Sequence, residues 1–329
     1  MTLLLPDAQD IANAVAALRR GEVIGLPTET VYGLAGDGRN SDAVRRIFAT
    51  KGRPADHPLI VHLGDIAQIN DWAADVPELA ITLANAFWPG PMTLILKKAA
   101  DVSALVSGGQ DSIGLRIPAH PLALRVLRAF GSGLAAPSAN RFGHVSPTTA
   151  QHVRDEFGDA VPIVLDGGPC SIGIESTIID LTATTPRILR PGQISREAIA
   201  ALIGTIEEGQ RADSPRVPGA LASHYAPRTA TESVTRARLA SRWRQCQDDG
   251  ETALVLSIGA LPADTTGLAL SEQPEDYARY LYAALRSLDR EGADRILVER
   301  TPDTDAWRAI GDRLQRAASE GDALLESAG

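Results

Sequence analysis

Between residues 23 and 192 the chain repeatedly writes a short run of β-branched or apolar residues and closes it with Gly, Pro or Ser. The runs are GEVIGLP, PLIVHLG, MTLILKK, SIGLRIP, GLAAPSAN, PIVLDGG, ESTIIDL and PRILRPG, and runs of that length between turn formers read as strands. Helical periodicity separates only some of them. An opening helix is marked by Asp7 as N-cap, by Ile11, Val15 and Leu18 on one face and by Gly21 as its stop. Further helices are expected at about 41–50, 65–72, 77–87, 122–130, 148–157 and 195–203. Strands that follow one another directly tend to pair antiparallel, and those joined through a helix can lie parallel. The pattern therefore predicts an α/β domain built on a mixed sheet.

The pattern breaks at 205–228, TIEEGQRADSPRVPGALASHYAPR, a stretch rich in Pro, Gly, Ser and charge with no sustained period. Beyond it come a helix at 232–245, the strand TALVLSI, the helix PEDYARYLYAALRSLDREG, the strand DRILVER and a helix at 305–319. That alternation predicts a small Rossmann-like parallel sheet of βα units. A chain of 329 residues exceeds what one core usually fills. The expected division is a larger domain over 1–204, a linker over 205–228 and a second domain over 229–329.

Composition narrows the function. No apolar run approaches the roughly 20 residues that span a bilayer. MTLLLPDAQD lacks the basic start and cleavage site of a signal peptide, so a cytoplasmic protein with no membrane partner is expected. Cys170 and Cys246 lie far apart with no metal-ligand spacing, which argues against a disulfide framework or zinc site and for two small buried thiols. The net charge of −9 divides into −3 for residues 1–228 (20 basic, 23 acidic) and −6 for the remainder (12 basic, 18 acidic). All three lysines, Lys51, Lys97 and Lys98, fall in the first part. The global basic footprint of a nucleic-acid binder is missing.

Single residues have plain structural readings. Lys51 and Arg53 of KGRP sit at a helix C-terminus, where the dipole favours cations. His62 alternates with apolar neighbours like a satisfied core histidine. Glu29 and Glu175 are placed to cap local backbone donors. Tyr225 would anchor the linker.

Together the residues show a bias: strand after strand ends in a polar cluster. Thr28 and Thr30, Arg116, Ser138 and Asn140, Ser146, Ser176 and Thr177, and Arg190 all stand at such ends. In open α/β sheets ligands bind at strand ends, so these groups are expected around one pocket. The sequence carries no nucleophile elbow, Walker motif, GxGxxG fingerprint or metal-ligand cluster. Cations and hydroxyls suited to polyphosphate and carboxylate remain, and phosphoryl or nucleotidyl transfer needs little else.

The succession PTETVYGLAGD, KGRPADHPLIVHL, GLRIPAH, APSANRFGHVSPT, GIESTIIDL, ILRPGQI and HYAP resembles the YrdC-like family, in the long two-domain form of threonylcarbamoyl-AMP synthase. The resemblance spans about residues 10–228. It implies a YrdC-like twisted mixed-sheet domain and synthesis of threonylcarbamoyl-AMP and pyrophosphate from L-threonine, bicarbonate and ATP. The product would pass to the tRNA threonylcarbamoyl-transfer machinery, with at most weak contact of the synthase itself to tRNA. It further implies Mg2+ carried with ATP and no organic cofactor or protein-held metal.

By the same resemblance Thr30, His62, Arg116, Ala136 and Ser176 hold threonine. Lys51, Arg53, His57, Ser112, Ser138, Asn140, Ser146, Arg190 and Tyr225 hold the nucleotide. Two positions depart from the family: His57 stands where asparagine is frequent, and GALASHYAP lacks basic residues before its His-Tyr. A binding module for tRNA or double-stranded RNA without turnover is the alternative, and so is a carbamoyl transferase on the same fold.

Overall fold

The computed structural model describes residues 6–219 and 224–326. The chain divides into two compact units. The larger comprises Met1–Phe142, Pro147–Ser171 and Glu175–Ala220, the smaller Gly143–Ser146, Ile172–Ile174 and Leu221–Gly329. Of the segment read as linker, residues 205–219 pack with the larger unit and residues 220–223 lie outside the described residues.

In the larger unit the strands are β1 (Ile24–Leu26), β2 (Gly33–Asp37), β3 (Ile60–His62), β4 (Met92–Lys97), β5 (Ser112–Arg116), β6 (Leu134–Ala135), β7 (Thr177–Asp180), β8 (Arg187–Arg190) and β9 (Glu207–Glu208). They form one mixed sheet in the order β1-β2-β6-β3-β5-β4-β7-β8-β9. Pairs β3–β5, β4–β7 and β8–β9 are parallel and the others antiparallel. The helices are α1 (Ala8–Arg19), α2 (Ser41–Lys51), α3 (Ile69–Trp72), α4 (Glu78–Phe87), α5 (Pro121–Phe130), α6 (Ala150–Phe157) and α7 (Arg196–Ile203).

Local chemistry sets the helix ends. Asp7 and Asp10 form a capping box on α1, and Asn40 accepts from the first amides of α2, which Gly52 ends in the left-handed region. Leu59, Val61, Leu63, Leu94, Leu96, Ile113 and Leu115 point into the main core. Their alternates Ile60, Ile95, Ile178 and Leu189 form a separate cluster on the opposite face, as period-two pleating requires.

The smaller unit holds β10 (Ala230–Val234), β11 (Ala253–Ile258), β12 (Gly267–Leu270) and β13 (Arg295–Glu299), paired in parallel in the order β10-β13-β11-β12. Its helices are α8 (Leu239–Asp248), α9 (Pro274–Arg290) and α10 (Asp305–Glu326).

Three expectations change and one strand is added. Residues 33–37, for which no element is expected, form a strand: Gly33 is there for space, since a Cβ would lie 3.3 Å from that of Ala136. PIVLDGG yields only an isolated bridge from Val164 to Gly25. The segment at 65–72 is a 3-10 turn (Ile66–Gln68) followed by one turn of α3. The helix expected at 232–245 begins later, because the β-branched residues of TATESV pair with β13 as β10. No helix of the described residues is long and apolar enough to cross a membrane, and Cys170 and Cys246 are buried free thiols.

Candidate active site

The polar residues expected at strand ends occupy one face of the central strands. Ile60 pairs with Gly114 and His62 with Arg116, so Ser112, Gly114 and Arg116 share a face with Ile60 and His62. Ile95 also pairs with Gly114 and Thr93 with Ile178, which brings Thr93 and Ser176 to the same face. Ala136 joins it beside β3, its amide bonded to the Ile60 carbonyl at 3.0 Å. Gly114 keeps the floor open: a Cβ there would meet Ile95, Ile60 and Thr93 at 3.2–3.4 Å. The site therefore runs along the strands rather than only across their tips, with isoleucines as floor and polar groups at both ends.

At one end Arg116 is buried and tightly held. Its Nε donates to the Gly90 carbonyl at 3.2 Å, Nη1 to Thr30 Oγ1 at 2.9 Å and Nη2 to Glu29 Oε1 at 2.7 Å. Three of five N–H donors are thus used, leaving one on each terminal nitrogen. Thr28 Oγ1 donates to the Val31 carbonyl and bonds Thr30 Oγ1 at 2.9 Å, which stiffens the loop that carries Glu29. Glu29 is the counter-ion of Arg116, not the backbone cap expected. Across from this group Ser176 Oγ bonds Thr93 Oγ1 at 2.8 Å and receives Arg190 Nη2 at 3.1 Å, while Arg190 also holds the Ser176 carbonyl.

His62 is buried, and Nδ1 has no partner among the described residues. Burial first, then the Arg116 charge, push its pKa from 6.5 to about 3. The folded state thus holds a neutral imidazole that the unfolded chain protonates below pH 6.5. Its contribution to stability is complete above pH 6.5 and declines as pH falls from 6.5 toward 3. His62→Gln should flatten that decline, so wild type loses a few kcal/mol relative to the variant between pH 7 and 4 in urea titrations. Parallel pH curves for the two would contradict the assignment.

The second cluster lies around the start of β3 and the loop after β6. Lys51, at the C-terminus of α2, donates Nζ to the carbonyls of Ser138 and Asn140 and is fully buried. Burial, with a smaller push from Arg53, holds its ammonium well below the usual lysine range. Arg53 donates to the Pro58 carbonyl at 2.9 Å and stacks over Phe142 at 5.8 Å; His57 meets the same ring edge-on at 5.2 Å. Burial and Arg53 lower the His57 pKa. The Ser138 loop joins the threonine loop through the Gly33–Ser138 bridge and the bond from Ala139 N–H to the Tyr32 carbonyl.

Residues 216–218, inside the segment read as linker, lie over this face. Val217 is buried with Ile60, Ile95, Ile178 and Leu189. Pro218 accepts from Arg190 Nη1 at 2.9 Å, and the Arg216 backbone makes two bonds to the Gln110 side chain at 2.7 and 3.1 Å. Arg216 Nη2 reaches the Gly108 carbonyl at 2.8 Å.

Thr30, His62, Arg116, Ala136, Ser176, Ser112 and Arg190 thus gather on one face, and Lys51, Arg53, His57, Ser138 and Asn140 form the adjoining group. Ser146 and Tyr225 belong to the smaller unit. There the Ser146 carbonyl accepts from Arg286 at 3.4 Å. Tyr225, at φ 63°, stacks on Tyr282 at 5.7 Å beneath Arg313. Sequence reasoning missed Thr93, Phe142 and Val217. Thr93 was detectable as the one polar residue inside MTLIL; the other two carry no local signal.

Residues 16–192 match the family model described as "Telomere recombination", covering Sua5, YciO and YrdC, and residues 194–319 match the "Threonylcarbamoyl-AMP synthase, C-terminal domain" model. A threonylcarbamoyl-AMP synthase of Bacillus subtilis is 42% identical over 321 residues, spanning 94% of this chain and 92% of that protein. One from Pyrococcus abyssi is 39% identical over 319 residues, 94% of each. The crystal structure of P. abyssi Sua5 complexed with L-threonine is similar with a TM-score of 0.89 at 38% identity, over 94% of both chains.

Proposed function

The chain belongs to the Sua5, YciO and YrdC family in its two-domain form, and on that premise we propose that it synthesises threonylcarbamoyl-AMP. In this reading it is a cytoplasmic nucleotidyltransferase that uses L-threonine, bicarbonate and ATP, releases pyrophosphate and supplies the tRNA threonylcarbamoyl-transfer machinery. The observation that carries the proposal is the Arg116 guanidinium. Three fixed bonds leave one N–H on each terminal nitrogen, a fork suited to a carboxylate, at the end of a face whose neighbouring group is cationic.

Threonine's carboxylate takes that fork. Once the ammonium has released one proton to solvent, the amine adds to the bicarbonate carbon with loss of water, and the carbamate oxygen then attacks the α-phosphorus while pyrophosphate leaves. Both reactants are anionic, so Lys51, Arg53 and Arg190 offset their repulsion and hold the phosphates in line. The nucleotide would be taken as MgATP, whose metal would neutralise part of the phosphate charge. Among the described residues no three His, Cys, Asp or Glu side chains converge to hold a metal.

The test is pyrophosphate release from MgATP by the full-length protein. Release is expected only when threonine and bicarbonate are both present. Release without threonine, or salt-sensitive RNA binding with no nucleotide turnover, overturns the reading.

A further inference from the structure

We propose that Glu29 holds the ammonium of the amino-acid substrate, so that Arg116 and Glu29 together read a zwitterion and not merely a carboxylate. The inference rests on the synthase reading, whose family resemblance assigns no role to Glu29. Glu29 is buried, yet only Oε1 meets Arg116, through one bond of 2.7 Å. Its other oxygen, Oε2, is buried and has no partner among the described residues.

A carboxylate serving only as counter-ion to a guanidinium gains most by engaging both oxygens side by side. Nor is Glu29 required to orient Arg116, which Gly90 and Thr30 already fix through two further bonds. A buried carboxylate oxygen left unmatched is costly unless a ligand donates to it.

The charges agree. Arg116 alone would favour any small carboxylate, including hydroxy acids. The Arg116–Glu29 pair is neutral and presents adjacent donor and acceptor groups, matching the carboxylate and ammonium that an α-amino acid carries on one carbon. His62 Nδ1 is a second buried atom without a partner among the described residues, but its ring is neutral and borders the guanidinium. An uncharged acceptor beside a cation is the poorer ammonium site and suits the threonine hydroxyl.

Calorimetric titration of the full-length protein with L-threonine and with (R)-3-hydroxybutanoate, the same acid without its amine, tests the assignment. Wild type should bind threonine about 10- to 100-fold more tightly, the range of a charge-assisted hydrogen bond. Glu29→Gln should shrink that ratio to below about 3-fold by losing threonine affinity while the hydroxy acid's is kept. His62→Gln should weaken both ligands in parallel. Should Glu29→Gln fail to fold by circular dichroism, Glu29→Asp, which keeps the charge but withdraws it by one methylene, should narrow the ratio in the same sense. Equal binding of the two acids by wild type, or parallel losses in the folded Glu29 variant, overturns the proposal. Amine-dependent binding without pyrophosphate release would break the synthase reading alone. Pyrophosphate release with parallel losses would break this one alone.

Discussion

Arg116→Met should lower the free energy of unfolding by about 3–5 kcal/mol, and Arg116→Met/Glu29→Gln should recover most of that loss while neither protein binds threonine. The cause is electrostatic. Arg116 and Glu29 are both nearly inaccessible to water and joined at 2.7 Å, so removing the guanidinium strands a carboxylate in a poorly solvated site. Replacing both charged groups removes the stranded charge together with the pair, and a double-mutant cycle in urea isolates the coupling. Stability and binding should therefore separate: the double variant folds well and is inert. Equal stability of the single and double variants would show that the carboxylate is screened and the pair contributes little.

Lys51→Met should reduce threonine-dependent pyrophosphate release by about 10²–10³-fold, the usual effect of removing one transition-state charge partner, while threonine affinity stays within about 3-fold. Lys51 does two things at once. Its Nζ ties the Ser138 and Asn140 carbonyls together, and its third N–H is the one left to meet an anion. Methionine fills the same stem but leaves two carbonyls without their donor, a cost of about 1–3 kcal/mol in folding. Lys51→Arg should not rescue turnover, because a planar guanidinium does not reproduce a single ammonium seated between the Ser138 and Asn140 carbonyls. Steady-state kinetics beside calorimetry separate these effects. A variant with normal turnover would remove Lys51 from the nucleotide's surroundings.

The mixed sheet and the second parallel sheet were legible because hydrophobic period and turn residues are local signals. The residues of the site were legible as types, and only partly as a place. Ser112, Gly114 and Arg116 already alternate within SIGLR, but which face they share with His62 depends on the parallel register of β3 and β5, set by residues about fifty positions apart. Glu29 was misread as a cap because its partner Arg116 lies 87 positions away. Residues 216–218 were misread as linker because Pro and Gly describe local stiffness, not the apolar floor on which Val217 lands. The strand β2 was hidden by glycines that serve close packing, Gly33 against Ala136 and Gly36 against Ile47 and Val23.

The alternation in β3, β4 and β5 has a corollary. Alternate positions of these strands serve opposite faces: Val61, Leu94 and Leu115 fill the core, while His62, Thr93 and Arg116 line the other side. Deleting one residue from β5 would exchange the two sets and send Arg116 into the hydrocarbon interior while Leu115 took its place beside His62. The side chains of this face can thus be exchanged by substitution but not by changes of length within the strands, and insertions should be tolerated only in the connections between them.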